Sequence, residues 1–271
     1  MELNGKVALV LGAVKGIGKA IGLSLAEHGV KVALNYHDWE AELEELKRGF
    51  AAIGQAHLIL KTNLLEVEKI AGLVQRVVDH FGRLDILINN IERGGWPVVH
   101  GAYSQDQWDL EMETTLRAKR WVFDAALPHL RDSGDGAVIN FSSIAAIVGR
   151  SGPAGMVFND GYAAANRGIS SLTETWARMG APRVRVNEIM LGFVATRHAE
   201  ETRGWGLLTR ADKKALIDHT LLQRTGTTDD VNKAVLFILK DAPFMTGAVL
   251  RLDGGYVLGS EKVPDMPPGV V

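Results

Sequence analysis

The stretch GYAAANRGIS, residues 161–170, contains two side chains whose spacing has chemical meaning. Tyr162 and Asn166 are four residues apart, so in a helix they face the same side, one turn from each other. A phenol hydroxyl can give or take a proton, but its ordinary pKa of about 10 leaves little of it ionised at neutral pH. A neighbouring cation would lower that pKa, whereas the Asn166 amide offers hydrogen bonds and no charge.

A glycine-rich loop near the N-terminus has the spacing of a phosphate site. Gly12, Gly16 and Gly18 follow the apolar run KVALVLG (6–12) with the spacing G-x3-G-x-G, and a helical pattern follows them. Such glycines let the backbone approach a pyrophosphate, which lies on the N-terminus of the next helix. A tight turn is the simpler alternative, but the strand, the loop and the helix occur in the order that a dinucleotide site needs. We therefore expect nucleotide binding here.

Seven short β-rich runs alternate with helical patterns and must position these residues. The runs span 6–12, 31–36, 56–61, 84–90, 136–143, 183–190 and 247–255. The run 6–12 is apolar throughout, as expected of a strand buried on both faces. Residues 66–81 form the clearest helix, with apolar side chains at i, i+3, i+4 and i+7. The alternation predicts an α/β fold, a doubly wound parallel sheet of about seven strands with helices on both faces.

Composition limits the possible functions. A length of 271 residues suits one domain, 1–271, ending in a proline-rich, extended tail at 263–271. A net charge of −2 gives no argument for nucleic acid or an anionic membrane as partner. The absence of cysteine excludes disulfides and thiolate chemistry, and the eight histidines lack metal-ligand spacing. With no apolar run of membrane length and no signal-peptide pattern, we expect a soluble, cytoplasmic protein.

Several motifs along the chain resemble those of the short-chain dehydrogenase/reductase family, from end to end. The matching segments are LGAVKGIG (11–18), Asn89-Asn90-Ile91-Glu92, Ser143 in INFSS, Tyr162, RVNEIMLGFVAT (185–196), Thr246-Gly247 and Asp253-Gly254-Gly255. Leu11 stands where the family usually has threonine, and Ile91-Glu92 stand where it has Ala-Gly. The resemblance implies a Rossmann-type fold, a nicotinamide cofactor and hydride transfer between a carbonyl and an alcohol.

The resemblance also assigns the catalytic residues. Tyr162 would be the acid/base, and Ser143 would polarise the substrate oxygen. The family's lysine, which lowers the tyrosine pKa and holds the nicotinamide ribose, aligns with Asn166, and its asparagine aligns with Thr115. Asn166 is thus expected to contact the ribose without supplying charge. Arg93, and Lys119 one turn after Thr115, could replace the charge, although a residue of this kind is more often a surface charge.

The expected cofactor is NADP(H), with NAD(H) as the alternative. The family's acid after the second strand falls at Tyr36, followed by His37, and Lys15 adds a positive charge that suits a 2′-phosphate. Asp38 is predicted to cap the next helix. Asn89 lies beside the adenosine ribose or, alternatively, holds the end of the fourth strand. The expected cofactor contacts are Gly12, Lys15, Gly16, Ile17, Gly18, Tyr36, His37, Asn63, Leu64, Asn89, Asn90, Ile91, Tyr162, Asn166, Gly192 and Thr196.

Two segments are expected at the mouth of the substrate site. Ser143 and Tyr162 are 19 residues apart, longer than the family's usual interval, and the extra residues lie in 150–161. Residues 197–225 fall where the family has a substrate lid, in which Trp205 is either a mobile contact or a packing residue. The long helices around 107–131 and after Tyr162 are the expected faces of a homodimer or homotetramer.

Three functions remain open on this basis. The first is an NADP(H)-dependent oxidoreductase acting on a small carbonyl or alcohol, with reduction favoured because a protonated tyrosine is already the donating form. The second is a catalytically impaired dinucleotide-binding homologue, a sensor or assembly partner, because Ile91 and Glu92 could narrow the nicotinamide pocket. The third is a different reaction, such as enone reduction or dehydration.

Overall fold

The computed structural model describes residues 1–92, 103–196, 208–267 and 269. Within these ranges, seven strands form one sheet. They are β1 (Val7–Val10), β2 (Lys31–Tyr36), β3 (His57–Lys61), β4 (Ile86–Asn89), β5 (Gly136–Ser143), β6 (Val184–Leu191) and β7 (Val249–Leu252). All neighbours are parallel, in the order β3-β2-β1-β4-β5-β6-β7. The expected doubly wound parallel sheet is confirmed.

Helices cover both faces of the sheet. They are α1 (Gly16–Glu27), α2 (Leu43–Ile53), α3 (Val67–Phe81), α4 (Gln105–Glu111), α5 (Ala118–Asp132), α6 (Ala145–Val148), α7 (Asp160–Gly180), α8 (Arg210–His219) and α9 (Thr228–Leu236). In β1, Ala8 and Val10 pack in one core with residues of α1, α2 and α9, while Val7 and Leu9 pack in a second core with residues of α3, α5 and α7. Burial on both faces explains the continuously apolar run at 6–12.

Two helical segments differ from their predictions. The segment expected around 107–131 consists of α4, a π-helical turn at Met112–Arg117 and α5. The predicted capping role of Asp38 is wrong, because Trp39 holds the N-cap position of a 3₁₀ turn at Glu40–Glu42. Trp39 has a φ of 70°, in the left-handed region, so the chain turns there and the helical backbone begins after it.

The strand order places a crevice at the carboxyl ends of β1 and β4. The chain runs from β1 outward to β2 and β3, then crosses back to add β4 on the other side of β1. At such a switch point the loops after β1 and β4 diverge, and open α/β sheets bind their ligands there. None of the helices in the described ranges is long and apolar enough to cross a membrane.

Candidate active site

A cleft of about 310 Å³ opens at this switch point and gathers most of the residues predicted from the sequence. It is lined by backbone and side chains from the ends of β1, β2, β4, β5 and β6. The predicted residues that line it are Gly12, Lys15, Gly16, Ile17, Tyr36, His37, Asn63, Leu64, Asn90, Ile91, Ser143, Tyr162, Gly192 and Thr196.

The glycine loop fits a pyrophosphate. Gly12 has a φ of +62°, and a Cβ there would lie 2.5 Å from the Asn90 carbonyl oxygen. A Cβ on Gly18 would lie 2.2 Å from the Gly12 carbonyl oxygen, so only glycine lets α1 pack this closely against the loop. Lys15, at the N-cap of α1, makes no side-chain capping bond within the described residues. The first N–H groups of α1 are therefore not capped by that side chain, and Gly16 and Ile17 line the cleft.

The part of the cleft beside Lys15 contains side chains of both charges. Lys15 forms an ion pair of 3.2 Å with Glu42, and its ammonium lies over the ring of Trp39. His37 and Asp38 line the same part of the cleft. Sequence reasoning missed Trp39 as a lining residue, although it follows the predicted cofactor residues Tyr36 and His37 within three positions.

Asn89 lies behind the cleft rather than in its wall. Its side chain is fully buried, and Nδ2 donates to Asn140 Oδ1 at 3.1 Å. Asn140 in turn donates to Thr173 Oγ1 at 2.9 Å, so the bonds join β4, β5 and α7. This placement favours the alternative role, which is to hold the end of β4, over the predicted contact with the adenosine ribose.

Ser143 and Tyr162 meet in the cleft despite the long segment between them. Ser143 ends β5, and Tyr162 lies in the first turn of α7, where its N–H donates to the N-cap Asn159 at 2.8 Å. The Tyr162 hydroxyl donates to Glu92 Oε2 at 2.6 Å. Burial and the Glu92 carboxylate raise the pKa of Tyr162 well above its usual value, and a hydrogen bond with Ser143 acts in the opposite direction. The phenol is therefore held in its protonated form.

Asn166 and Thr115 lie outside the cleft wall. Asn166 is fully buried, and its Nδ2 donates back to the Tyr162 carbonyl oxygen at 2.9 Å. Its Oδ1 and the Thr115 Oγ1 have no hydrogen-bond partner among the described residues. The placement of Asn166 does not support the predicted contact with the ribose, because a shorter side chain bonded to its own helix does not reach the cleft.

Lys119 is a buried cation in the cleft wall. Its side chain is 1% exposed, and Nζ donates to the Phe141 carbonyl oxygen at 2.5 Å. Burial lowers the pKa of Lys119 to about 8, and the carboxylates of Glu92 and Glu188 act in the opposite direction. Of the two cations considered from the sequence, this one lies at the site, while Arg93 falls outside the described residues.

Glu188 is a buried carboxylate that sequence reasoning missed. It lies in the middle of β6 and is bonded to the hydroxyls of Ser142 and, at 3.1 Å, Ser170. Burial raises its pKa, and the two hydroxyls and then Lys119 act in the opposite direction. An acidic residue in the middle of the predicted strand 183–190 was the available signal, because a carboxylate is rarely buried without a partner.

The long segment before Tyr162 builds an aromatic wall. Residues Gly152–Met156 form a 3₁₀ helix, and Phe158 then stacks on Phe193 with ring centroids 5.5 Å apart. The Phe158 ring centroid also lies 5.7 Å from that of Tyr162, so the wall borders the Tyr162 side chain. The predicted lid is described only from Leu208 onward, where α8 follows, and Trp205 lies outside the described residues.

No group of three potential metal ligands occurs among the described residues. The cleft itself presents a phenol, hydroxyls, an imidazole, ammonium groups and carboxylates around a glycine loop. A doubly wound sheet with this loop at its switch point defines a dinucleotide-binding α/β protein.

Comparison with known proteins gives the family. A family model described as enoyl-(acyl carrier protein) reductase matches residues 12–257. The chain belongs to the short-chain dehydrogenase/reductase family of oxidoreductases, as its motifs predicted. It is 30% identical over 257 residues to the 3-oxoacyl-(acyl-carrier-protein) reductase FabG of Staphylococcus aureus, covering 93% of this chain and 98% of that protein. The protein of the same name from Thermotoga maritima is 30% identical over 262 residues, covering 95% and 100%.

A solved structure shows the same fold. The NADPH-dependent 3-quinuclidinone reductase of Rhodotorula rubra superimposes with a TM-score of 0.83 at 25% identity, and the match covers 95% of this chain and 93% of that one.

Proposed function

We propose that this protein is an NADP(H)-dependent oxidoreductase that reduces a carbonyl group, with Tyr162 as the acid. The observation that carries the proposal is the Tyr162 hydroxyl, which lies with Ser143 in the wall of the same cleft as the glycine loop. Asn159 fixes the first turn of α7 and with it the position of the phenol.

The residues of the cleft divide the reaction between them. Gly12, Gly16 and Ile17 would hold a dihydronicotinamide cofactor by its pyrophosphate, and that cofactor would supply the hydride, with its electron pair, for the carbonyl carbon. Tyr162 gives its proton to the oxygen of that carbonyl, and Ser143 donates a hydrogen bond to the same oxygen. The proton of Tyr162 is directed at Glu92 in this structure, so the O–H bond must rotate from Glu92 toward the substrate before the proton can be transferred.

The surroundings of Tyr162 favour the protonated phenol, which is the form that carbonyl reduction needs. Burial and Glu92 hold the phenol protonated at neutral pH, and a protonated phenol is the form that donates. Oxidation of an alcohol needs the phenolate, which the same surroundings disfavour. We therefore expect carbonyl reduction to be faster than alcohol oxidation at pH 7.

Lys15 and His37 support NADP(H) as the cofactor. Both line the adenosine end of the cleft, where a 2′-phosphate would accept hydrogen bonds from them. Asp38, which lines the same end, favours NAD(H) instead, because a carboxylate there can hold the ribose 2′-hydroxyl. Titrations that give the Kd values for NADPH and NADH test this choice. A Kd for NADPH larger than the Kd for NADH would overturn it.

The substrate is proposed to be an apolar, preferably aromatic or cyclic ketone. Phe158 and Phe193 stack beside Tyr162, and Val157 also lines the cleft there. Aromatic faces favour flat apolar groups over charged ones. Because two relatives are named as 3-oxoacyl-(acyl-carrier-protein) reductases, 3-oxoacyl thioesters belong in the same substrate panel.

A catalytically impaired dinucleotide-binding protein is the second candidate. The observation that favours it is the Tyr162–Glu92 hydrogen bond, because the carboxylate occupies the hydroxyl that a substrate needs. In this case the wild-type protein binds NADPH but reduces no carbonyl. The double variant Asn166→Lys/Glu92→Gly should then gain carbonyl reductase activity.

The experiment that separates the candidates is a fluorescence titration with NADPH and NADH, followed by the ketone and thioester panel. Binding with turnover supports the proposed reductase. Binding without turnover in the wild type, with turnover in the Asn166→Lys/Glu92→Gly variant, supports the second candidate. Failure to bind either nucleotide would overturn both.

Assembly into a homodimer or homotetramer is proposed from the helices around the site. Trp108 and Trp121 are exposed large apolar side chains of α4 and α5. A groove is lined by Met112, Leu116 and Leu172, among others, from the π-helical turn that joins these two helices and from α7. Light scattering during gel filtration measures the mass of the assembly, and a monomer of 29.4 kDa would contradict this proposal.

A further inference from the structure

Lys119 is buried and charged in a place where the proposed reaction does not yet use it. A lysine ammonium costs several kcal/mol to remove from water, so it remains inside a protein only with strong compensation. At 1% exposure the Lys119 side chain is as buried as the core around it, yet it lines the cleft that contains Tyr162. Filling space alone would be done better by leucine or methionine at this position of α5.

Compensation comes from carboxylates on two other elements. Glu188 reaches the interior from β6, and Glu92 follows β4 at the rim of the cleft. Both act on Lys119 electrostatically, and Phe141 contributes its carbonyl oxygen. Glu188 is itself fixed by Ser142 and Ser170, so its position does not depend on Lys119 alone.

The reaction creates a need for positive charge at this spot. When Tyr162 gives up its proton, it becomes an anion within 2.6 Å of the Glu92 carboxylate. Two adjacent anions are unfavourable without a cation nearby. Two lysines line the cleft in the described ranges, and Lys15, paired with Glu42, belongs to the glycine-loop end. Lys119 is the one whose surroundings include Glu92, the partner of Tyr162.

We propose that Lys119 is the cation that acts on Tyr162 in place of the charge absent at position 166, and that the buried carboxylate of Glu188 acts together with Glu92 to keep Lys119 charged. The charge has moved from α7 to α5, and Lys119 acts through Tyr162 rather than on the substrate. This inference rests on the proposed reductase function, and it names the group that supports the phenolate after proton transfer.

A change in pH should reveal this role. The titratable and charged groups around Lys119 and its partners are Glu92, Glu188 and Tyr162, with Arg167 acting on Glu188 and Glu111 acting on Tyr162. The pKa of Lys119 is about 8, whereas Tyr162 stays protonated well above that pH. The kcat for reduction should therefore hold below pH 8 and fall about tenfold per pH unit above it, as Lys119 loses its proton.

The matched variants are Lys119→Met, Lys119→Met/Asn166→Lys and the surface control Lys240→Met, which removes an exposed charge from another part of the chain. Lys119→Met should lower kcat at pH 7 by about 10- to 1000-fold, because a nearby charge shifts a pKa by about 1–3 units. Its Kd for NADPH should stay within about threefold, since the glycine loop is untouched, and its alkaline fall in rate should disappear. Returning a lysine at position 166 should restore much of the kcat.

Two results would overturn the inference. One is an unchanged kcat and pH profile in Lys119→Met, and the other is a kcat in the Lys119→Met/Asn166→Lys variant as low as in the single one while both remain folded. Should Lys119→Met not fold, Lys119→Met/Glu188→Gln removes both buried charges together, and the same losses in kcat and in the alkaline limb are expected of it.

A measurement without turnover separates this inference from the proposed function. Lysine labelled with ¹³C at Cε reports the titration of Lys119 by NMR, with Lys119→Met giving the assignment. We expect a midpoint near 8, a lower one in Glu188→Gln, and a further decrease when NADP⁺ with its cationic ring is bound. An ordinary lysine midpoint that neither change moves would overturn the inference, whether or not a substrate has been found.

Discussion

The two halves of the cleft depend on different parts of the chain, one on the backbone and the other on side chains. At the adenosine half, around β1, β2 and α1, function depends on backbone: three glycines, a helix N-terminus and a strand order. At the proposed catalytic half, around β5, β6, α5 and α7, the chemistry depends on side chains. The resemblance implies a lysine at the position of Asn166, and the charged side chains that surround this half include Glu92, Lys119 and Glu188. A backbone site needs one loop conformation, whereas a charge can be supplied from any element that reaches the same volume.

Two buried carboxylates differ in how completely they are hydrogen bonded. Asp85, at the start of β4, accepts hydrogen bonds from Arg83, Lys6 and the Val7 N–H, and its side chain is 0% exposed. Burial would raise its pKa, but these bonds outweigh it and hold the pKa of Asp85 below its usual value. Glu188 is bonded to two hydroxyls, and its Oε2 has no partner among the described residues. A fully paired carboxylate stabilises a fold, while a partly paired one remains available to balance another charge.

The largest expected effect is at the catalytic half. Tyr162→Phe removes the hydroxyl that donates the proton, so kcat for carbonyl reduction should fall by about 10²- to 10⁴-fold. The Kd for NADPH should change by about threefold at most, because the ring of residue 162 is retained and the glycine loop is unchanged. Steady-state kinetics and fluorescence titration measure the two quantities. Retention of most of the kcat would show that another group donates the proton.

The next effect tests the adenosine half. Gly18→Ala adds a Cβ that would lie 2.2 Å from the Gly12 carbonyl oxygen and 2.7 Å from Asn90 Nδ2, so the loop must shift. A displacement of about 1 Å in a positioned site costs about 10²-fold, which here should appear in kcat/KM for NADPH. Unlike Tyr162→Phe, this variant should lose affinity for the nucleotide. Unchanged affinity would mean that the loop does not hold the cofactor.

The contrast also explains what could be predicted from the sequence. Strand and helix periodicity, the glycine spacing and the motif order gave the sheet and the family, because each depends on local pattern. The lining of the cleft could also be predicted, since residues at the ends of parallel strands converge at one edge of the sheet. The capping role of Asp38 was wrong because the left-handed conformation of Trp39 cannot be inferred from composition. The role of Glu188 beside Lys119 could not be predicted, because it depends on how β6 and α5 are placed in the tertiary structure, a relation without a sequence period.

A third prediction concerns stability at the end of the sheet away from the cleft. Asp85→Asn replaces a carboxylate that holds three donors and should lower the free energy of unfolding at pH 7 by about 1–3 kcal/mol. Because the folded-state pKa is below the unfolded one, the contribution of Asp85 is present above the unfolded value and is lost as pH falls through the folded value. Urea unfolding between pH 7 and pH 3 should therefore show wild type and variant converging. A constant difference across that range would indicate packing rather than charge.

The smallest effect is expected at a glycine outside the loop, which serves as the control for Gly18→Ala. Gly72 lies exposed in the interior of α3, and a Cβ there would meet nothing within 4 Å. Gly72→Ala should therefore stabilise the protein by about 0.5–1 kcal/mol, because alanine loses less backbone entropy in a helix than glycine does. Urea unfolding measures the gain, and kcat/KM for NADPH should stay at the wild-type value. If Gly72→Ala weakened the binding of NADPH as much as Gly18→Ala does, replacing a glycine would disturb the fold in general. The effect of Gly18→Ala would then no longer support binding of the cofactor by the backbone of the loop.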